Sequence, residues 1–154
     1  APAAVLLASI PPHGIMRAAL RLVGRHPWVT LRAITVGSSA DFVNTTRLAR
    51  EALFCAHTPE HIVESCAVQL QPESVYATAV GMNVPSRPRR VTTRLLILGA
   101  EDDRMVTRAE VRATARAYHT LAELFPAMGH DMMLEPGWIQ VADRIDHWLC
   151  TQGL

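Results

Sequence analysis

The sequence contains no lysine: all 15 of its basic residues are arginine. A bias this complete reads as composition before it reads as function. Charge of one sign is also not in excess, since 14 acidic residues leave a net charge of +1 at pH 7. So even a balance gives no expectation of a nucleic-acid or membrane-surface partner. Cysteine is scarce and odd in number. Cys55, Cys66 and Cys150 form no C-x-x-C, which argues against a disulfide framework and for reduced thiols in a cytoplasmic protein. No run of eighteen apolar residues is present, so no transmembrane helix is expected. The opening "APAAVLLASI" has no positively charged leader, and its apolar run breaks too soon for a signal peptide. It lacks an initiator Met and enters a strand-like run almost at once, as in a chain joined partway through. Internal repeats and low-complexity segments are missing as well.

What is present is a globular composition. Hydrophobic residues make up 49% and charged residues 19% of 154, enough for one domain with a real core. "AVLLAS" (4–9) is a short continuous apolar run closed by "PPHG", the signature of a strand buried in a parallel sheet. From Ile15 to Met82 the texture is helical. "IMRAALRLVG" stops at Gly24, and "PWVTLRAITVG" begins at Pro27. "TTRLAREALF" follows, then "TPEHIVESCAVQL", where Thr58 is placed to cap and Pro59 to start a helix. "PESVYATAVGM" (72–82) starts in the same way. "NVPSRPRR" (83–90) is a linker, its arginines read as a solvated turn.

After the linker the rhythm changes. "RLLILGA" (94–100) is a second buried strand. "TRAEVRATARAYH" (107–119) opens with Thr107 and Glu110, a capping box, and carries a helix. "AELF" (122–125) is a third, shorter strand. "PGWIQVADRIDHWLCTQ" (136–152) is a final helix with Trp138, Val141, Ile145, Trp148 and Leu149 on one stripe. Strands alternating with helices predict an α/β fold with a small parallel sheet of about three strands.

In such sheets functional groups collect at the carboxyl ends of the strands. The second strand runs into Glu101, Asp102 and Asp103, and the third runs into "PAMGHD", which brings His130 out of its end. On adjacent strands, an acid and an imidazole would face each other. A carboxylate accepting from Nδ1–H fixes the tautomer and leaves Nε2 free as a base.

"LLILGAEDDRMV" followed by "FPAMGHDMMLEPGW" resembles the closing section of the α/β-hydrolase fold. There the acid lies after one strand, the histidine after the next, and a helix ends the domain. "VLLASIPPHGI" is similar to the strand and turn before that family's lid. The resemblance implies that 1–14 and 91–154 are the C-terminal part of the core and that 15–90 is an inserted helical lid. It implies that Asp103, three residues before Val106, is the triad acid, with Asp102 as the alternative, and that His130 is the base. Glu101 is expected to be solvated. Met16, Phe42, Leu53, Phe54 and Met82 become possible linings of an apolar acyl or alcohol pocket, although such residues more often form ordinary core.

The family's nucleophile is usually Ser in G-x-S-x-G, in the chain order Ser, acid, His. No two of the glycines at 14, 24, 37, 81, 99, 129, 137 and 153 are four apart, so this motif does not occur. "GSSAD" (37–41) falls in the helical block, and Ser9 lies at the end of the strand that follows the family's elbow. The sequence therefore reads as the C-terminal portion of a serine hydrolase for an ester, amide or related acyl substrate. It supplies acid and base without the nucleophile and is inactive alone. The other class is a non-catalytic fragment or pseudoenzyme that associates with a partner chain, or with itself, through its first strand. A lyase or cofactor-free oxygenase on the same fold is not separated from these.

Two further clusters carry less. "CAHTPEHIVESC" (55–66) invites a metal, but Pro59 separates His57 from His61 and no zinc pattern matches, so no metal or cofactor is expected. His13 reads as a turn residue. Met128, Met132 and Met133 either line the pocket or pack under the last helix.

Overall fold

The structure, a computed structural model, describes residues 1–36, 43, 45–71, 74 and 86–154. Strand β1 (Ala3–Leu7) is followed by helices α1 (Met16–Arg25), α2 (Pro27–Val36), α3 (Thr46–Leu53) and α4 (Glu60–Ala67). Then come β2 (Arg94–Ala100), α5 (Arg108–Ala117), β3 (Ala122–Phe125) and α6 (Trp138–Thr151). Apart from Ser74, the helix expected over 72–82 lies outside the described residues, as does the first part of the linker. Within the rest of the linker, Pro88–Arg90 forms one 3₁₀ turn.

The sheet has the order β1-β2-β3 and both pairings are parallel. Parallel strands need both faces covered, and the central strand shows it. Leu96, Leu98 and Ala100 of β2 pack with Met128, Met132 and Val141 on the α6 side. On the opposite face Ile97 packs with Val106, Val111 and Ala115 of the α5 side. A Cβ on Gly99 would come within 2.6 Å of Val111, so glycine lets α5 lie directly on the strand. Edge strand β1 is only half-buried, less than its continuous apolar run predicts, because it pairs on one side alone among the described residues.

The helical block has a core of its own. Ala49, Leu53, Phe54 and Val63 close α3 onto α4. By contrast α1 buries no residue and α2 buries only Ala33. Helix α1 runs through Gly24 to Arg25, so the expected stop at Gly24 is not used; Pro27 opens the next helix immediately after. Thr45 caps α3 through Leu48 N–H, and Thr107 and Glu110 form both bonds of the capping box on α5. Thr58 does not cap α4. On α6 the apolar stripe is narrower than expected: Val141 is buried, Ile145 and Trp148 pack beside it, and Trp138 is 49% exposed. Among the described residues no helix is long and apolar enough to cross a membrane.

One side chain ties the helical block to the sheet side. Arg21 of α1 donates to both oxygens of Glu110 (3.0 and 2.8 Å) and to the carbonyl of Met105 (2.9 Å). Burial alone raises the pKa of Glu110, but hydrogen bonds from Arg21 and Thr107 and the guanidinium charge outweigh it and hold the carboxyl below its ordinary value. Glu110 therefore contributes stability above the ordinary glutamate pKa, and loses it as pH falls through the lowered folded value. Arg21→Met is expected to cost about 1–2 kcal/mol at neutral pH, since Glu110 keeps its Thr107 partners and Arg21 is partly exposed. Urea melts of both forms should converge on acidification; a gap unchanged at pH 3 rules out this linkage.

Candidate active site

The loops leaving β2 and β3 run side by side. Glu101 N–H donates to Phe125 O at 2.9 Å and Asp102 N–H to Met128 O at 3.0 Å, so the acidic turn is registered against the approach to His130. Asp103 then turns inward, with its side chain fully buried. Its Oδ1 accepts from the N–H groups of Met105 (2.7 Å) and Val106 (2.8 Å). Its Oδ2 accepts from His130 Nδ1 at 2.8 Å. The two backbone donors fix the carboxylate plane, and the carboxylate in turn fixes the imidazole tautomer.

His130 is held from both sides of its backbone. On one side, the N–H of Gly129 donates to Glu135 Oε1 at 2.7 Å. On the other, the N–H of Asp131 donates to Leu53 O at 2.9 Å. A Cβ on Gly129 would stand 2.4 Å from the carbonyl carbon of Phe54, so the glycine before the histidine is required by a backbone passing against it. The imidazole itself stays 24% exposed, and Nε2 makes no hydrogen bond to the described residues. Burial disfavours the imidazolium, yet the hydrogen bond and charge of Asp103 and the charge of Asp131 prevail, raising the pKa of His130 above its ordinary value. Burial likewise raises Asp131, with Asp103 and Glu135 adding to it against His130 and Cys66.

Of the other acids in the turn, Asp102 is half-exposed and 4.0 Å from Arg108, and Glu101 is partly exposed; neither bonds to His130. A cleft of about 400 Å³ opens beside them, lined by Phe54–His57 and Glu101–Arg104. Of the five apolar residues named as pocket lining, Phe54 reaches this cleft. Leu53 is buried in the core of the helical block, Met16 is exposed on α1, and Phe42 and Met82 lie outside the described residues. Met128 and Met132 pack beneath α6, and Met133 is exposed.

His13 is exposed in the turn closed by Gly14 N–H on Pro11 O. Cys55 is buried while His57 and His61 are exposed, and no group of three His, Cys, Asp or Glu among the described residues is placed to hold a metal. No serine among the described residues bonds to His130, and Ser38 and Ser39 lie outside them.

Sequence reasoning passed over Glu135. It is fully buried and accepts from Cys55 N–H (2.7 Å), Gly129 N–H (2.7 Å) and Thr58 Oγ1–H (2.6 Å). The helix begins at Glu60 with Pro59, the expected first helical residue, at the cap position, so Thr58 stands one residue outside the cap and its hydroxyl donates instead to a carboxylate far along the chain. The signal available was a lone acid between Leu134 and Pro136, in a stretch otherwise apolar.

No family model matches the chain, and no curated protein matches it in sequence. Solved structures do resemble it. A thermophilic esterase from Thermogutta terrifontis, in a malate-bound structure, superposes with a TM-score of 0.65 at 19% identity over 96% of this chain. A candidate non-heme bromoperoxidase, BpoC, from Mycobacterium tuberculosis H37Rv superposes with a TM-score of 0.66 at 15% identity over 97%. Both are enzymes of the α/β-hydrolase type. The chain has a partial α/β-hydrolase fold. It spans 55% and 58% of the length of those two chains. At such identities the likeness establishes the fold alone; a partial α/β-hydrolase fold says where a site belongs, not which reaction it performs.

Proposed function

We propose that this chain is the C-terminal, acid- and base-bearing portion of a serine-dependent α/β hydrolase acting on an ester, amide or related acyl substrate. The observation that carries the reading is the 2.8 Å bond from His130 Nδ1 to the buried Asp103, formed where two adjacent parallel strands end. Residues 15–90 act as the lid, and 1–14 with 91–154 as part of the core. The nucleophile comes from strands that pair with the edge of β1 left unpaired among the described residues, on a preceding segment or a separate chain.

In the assembled site the serine hydroxyl attacks the acyl carbon while His130 Nε2 takes its proton. Asp103 stabilises the imidazolium that results. Collapse of the tetrahedral intermediate expels the alcohol or amine, protonated by His130, and leaves an acyl-serine. Water, deprotonated by His130, then attacks the acyl carbon; release of the acid restores the serine and the neutral imidazole. Backbone amides of the missing portion hold the oxyanion.

Because only neutral His130 is a base, hydrolysis should rise with pH through a midpoint above the ordinary histidine value, the direction set by Asp103 and Asp131. The test is hydrolysis of p-nitrophenyl acetate by this chain with the polypeptide encoded just upstream in the same frame. Turnover by the pair, absent from either part and abolished by His130→Ala, supports the proposal. Turnover indifferent to His130 sinks it.

That β1 pairs on one side alone among the described residues favours a second reading, an association module that adds its strand to a partner sheet or to a second copy without catalysis. Complex formation with no turnover by the pair would select it.

A further inference from the structure

The hydrogen bonds on either side of His130 lead to one segment of the helical block. Asp131 N–H reaches Leu53 O, Gly129 packs against Phe54, and Gly129 N–H shares one oxygen of Glu135 with Cys55 N–H. The other oxygen accepts from Thr58 Oγ1 at 2.6 Å, with the Cys55 thiol at 3.7 Å. We propose that Glu135 is the positioning residue of His130: its buried carboxylate locks the histidine loop onto residues 53–58, so that the helical block sets where the imidazole stands. The proposal rests on the reading of His130 as the base.

The chemistry fits this role better than simple filling of space. Two backbone N–H groups from segments distant in sequence converge on a single oxygen, so neither can move without losing the shared acceptor. An apolar side chain of similar size would leave both donors buried and unpaired. Glutamine would not. Its carbonyl oxygen can replace Oε1 for both amides, and its NH2 can donate to Thr58 Oγ1, whose proton already has Cys55 O at 3.1 Å. A requirement for an acceptor at this place, with or without charge, is thus separable from packing.

The test is NMR on the full 154-residue chain, following the His130 ring nitrogens and backbone amide exchange in wild type, Glu135→Gln and Glu135→Met. In Glu135→Met the amides of Gly129 and Cys55 should exchange at least about tenfold faster. The His130 titration midpoint should fall toward that of a free imidazole, because the loop no longer presents the ring to Asp103. Glu135→Gln should restore both. A folded Glu135→Met chain with unchanged His130 titration overturns the proposal and leaves Glu135 a packing residue. Should Glu135→Met fail to fold, wild type decides: Gly129 and Cys55 amides must open together, with equal protection, and independent opening refutes the clamp.

This outcome is independent of the nucleophile. Turnover by the assembled pair with a His130 indifferent to Glu135 removes the clamp and keeps the hydrolase. A Glu135-dependent His130 in a pair that never turns over does the reverse.

Discussion

Asp103→Asn is expected to lower kcat of the proposed assembled hydrolase about 10⁴-fold while leaving the chain folded, by analogy with triads whose acid is made an amide. The local geometry says why the loss should be so large. Oδ1 of Asp103 accepts from two backbone N–H groups, Met105 and Val106. An asparagine will keep its oxygen on those donors, which leaves its NH2 facing His130 Nδ1. The imidazole must then accept at Nδ1 and carry its proton on Nε2, the nitrogen proposed as the base. Nitrogen chemical shifts of His130 in the isolated chain will report the reversed tautomer directly.

The same substitution has a signature in stability. The raised pKa of His130 means that its protonated form is favoured more in the folded chain than in the unfolded one. Its contribution is full below the ordinary histidine value of about 6.5 and is lost as pH rises through the higher folded value. The stability gap between wild type and Asp103→Asn should therefore be wider at pH 6 than above the His130 midpoint. A gap that widens with pH would contradict the assignment of Asp103 as the partner that raises His130.

Gly129→Ala is expected to be the most destabilising single-methyl change in the site. The added Cβ would meet the Phe54 carbonyl carbon at 2.4 Å, its Cα at 2.6 Å and Cys55 N at 2.7 Å. All three are backbone atoms, so no rotamer change relieves them. Moving the loop instead would break the Glu135 and Leu53 bonds and draw His130 away from Asp103. A cost of about 3 kcal/mol, or roughly 6–12 °C in Tm for a chain of this size, is expected. Gly24→Ala provides the contrast. It sits within α1, nothing lies within 4 Å of its added Cβ, and it should stabilise by up to about 1 kcal/mol. Thermal melts in which both substitutions behave alike would show that the close approach at Gly129 is not what holds the loop.

These residues divide between what local sequence specifies and what it cannot. β2 was legible because it is a short apolar run between polar segments, β3 less so because it is four residues long with Glu123 among them, and the start of α5 because its capping box is complete within four residues. His130 stood out because it follows a strand end, and the facing of acid and base followed from strand order. The choice of Asp103 over Asp102 came only from resemblance to a known fold. Contacts between distant segments stayed hidden. Thr58 has the local form of an N-cap, yet a carboxylate 77 residues away takes its hydroxyl. The Arg21–Glu110 pair, 89 residues apart, leaves no mark on the periodicity of either helix. Nor does the sequence show that β1 lies at an edge, since a half-buried apolar strand and a fully buried one are written alike.

The most direct measurement is fluorophosphonate labelling read by intact mass, on this chain alone and on the chain joined with the upstream polypeptide. The expected result is no adduct on the 154-residue chain and one adduct on the upstream part, lost when His130 is replaced by alanine. An adduct on the isolated chain, at Ser9, Ser38 or Ser39, would contradict the claim that its acid and base await a nucleophile from elsewhere.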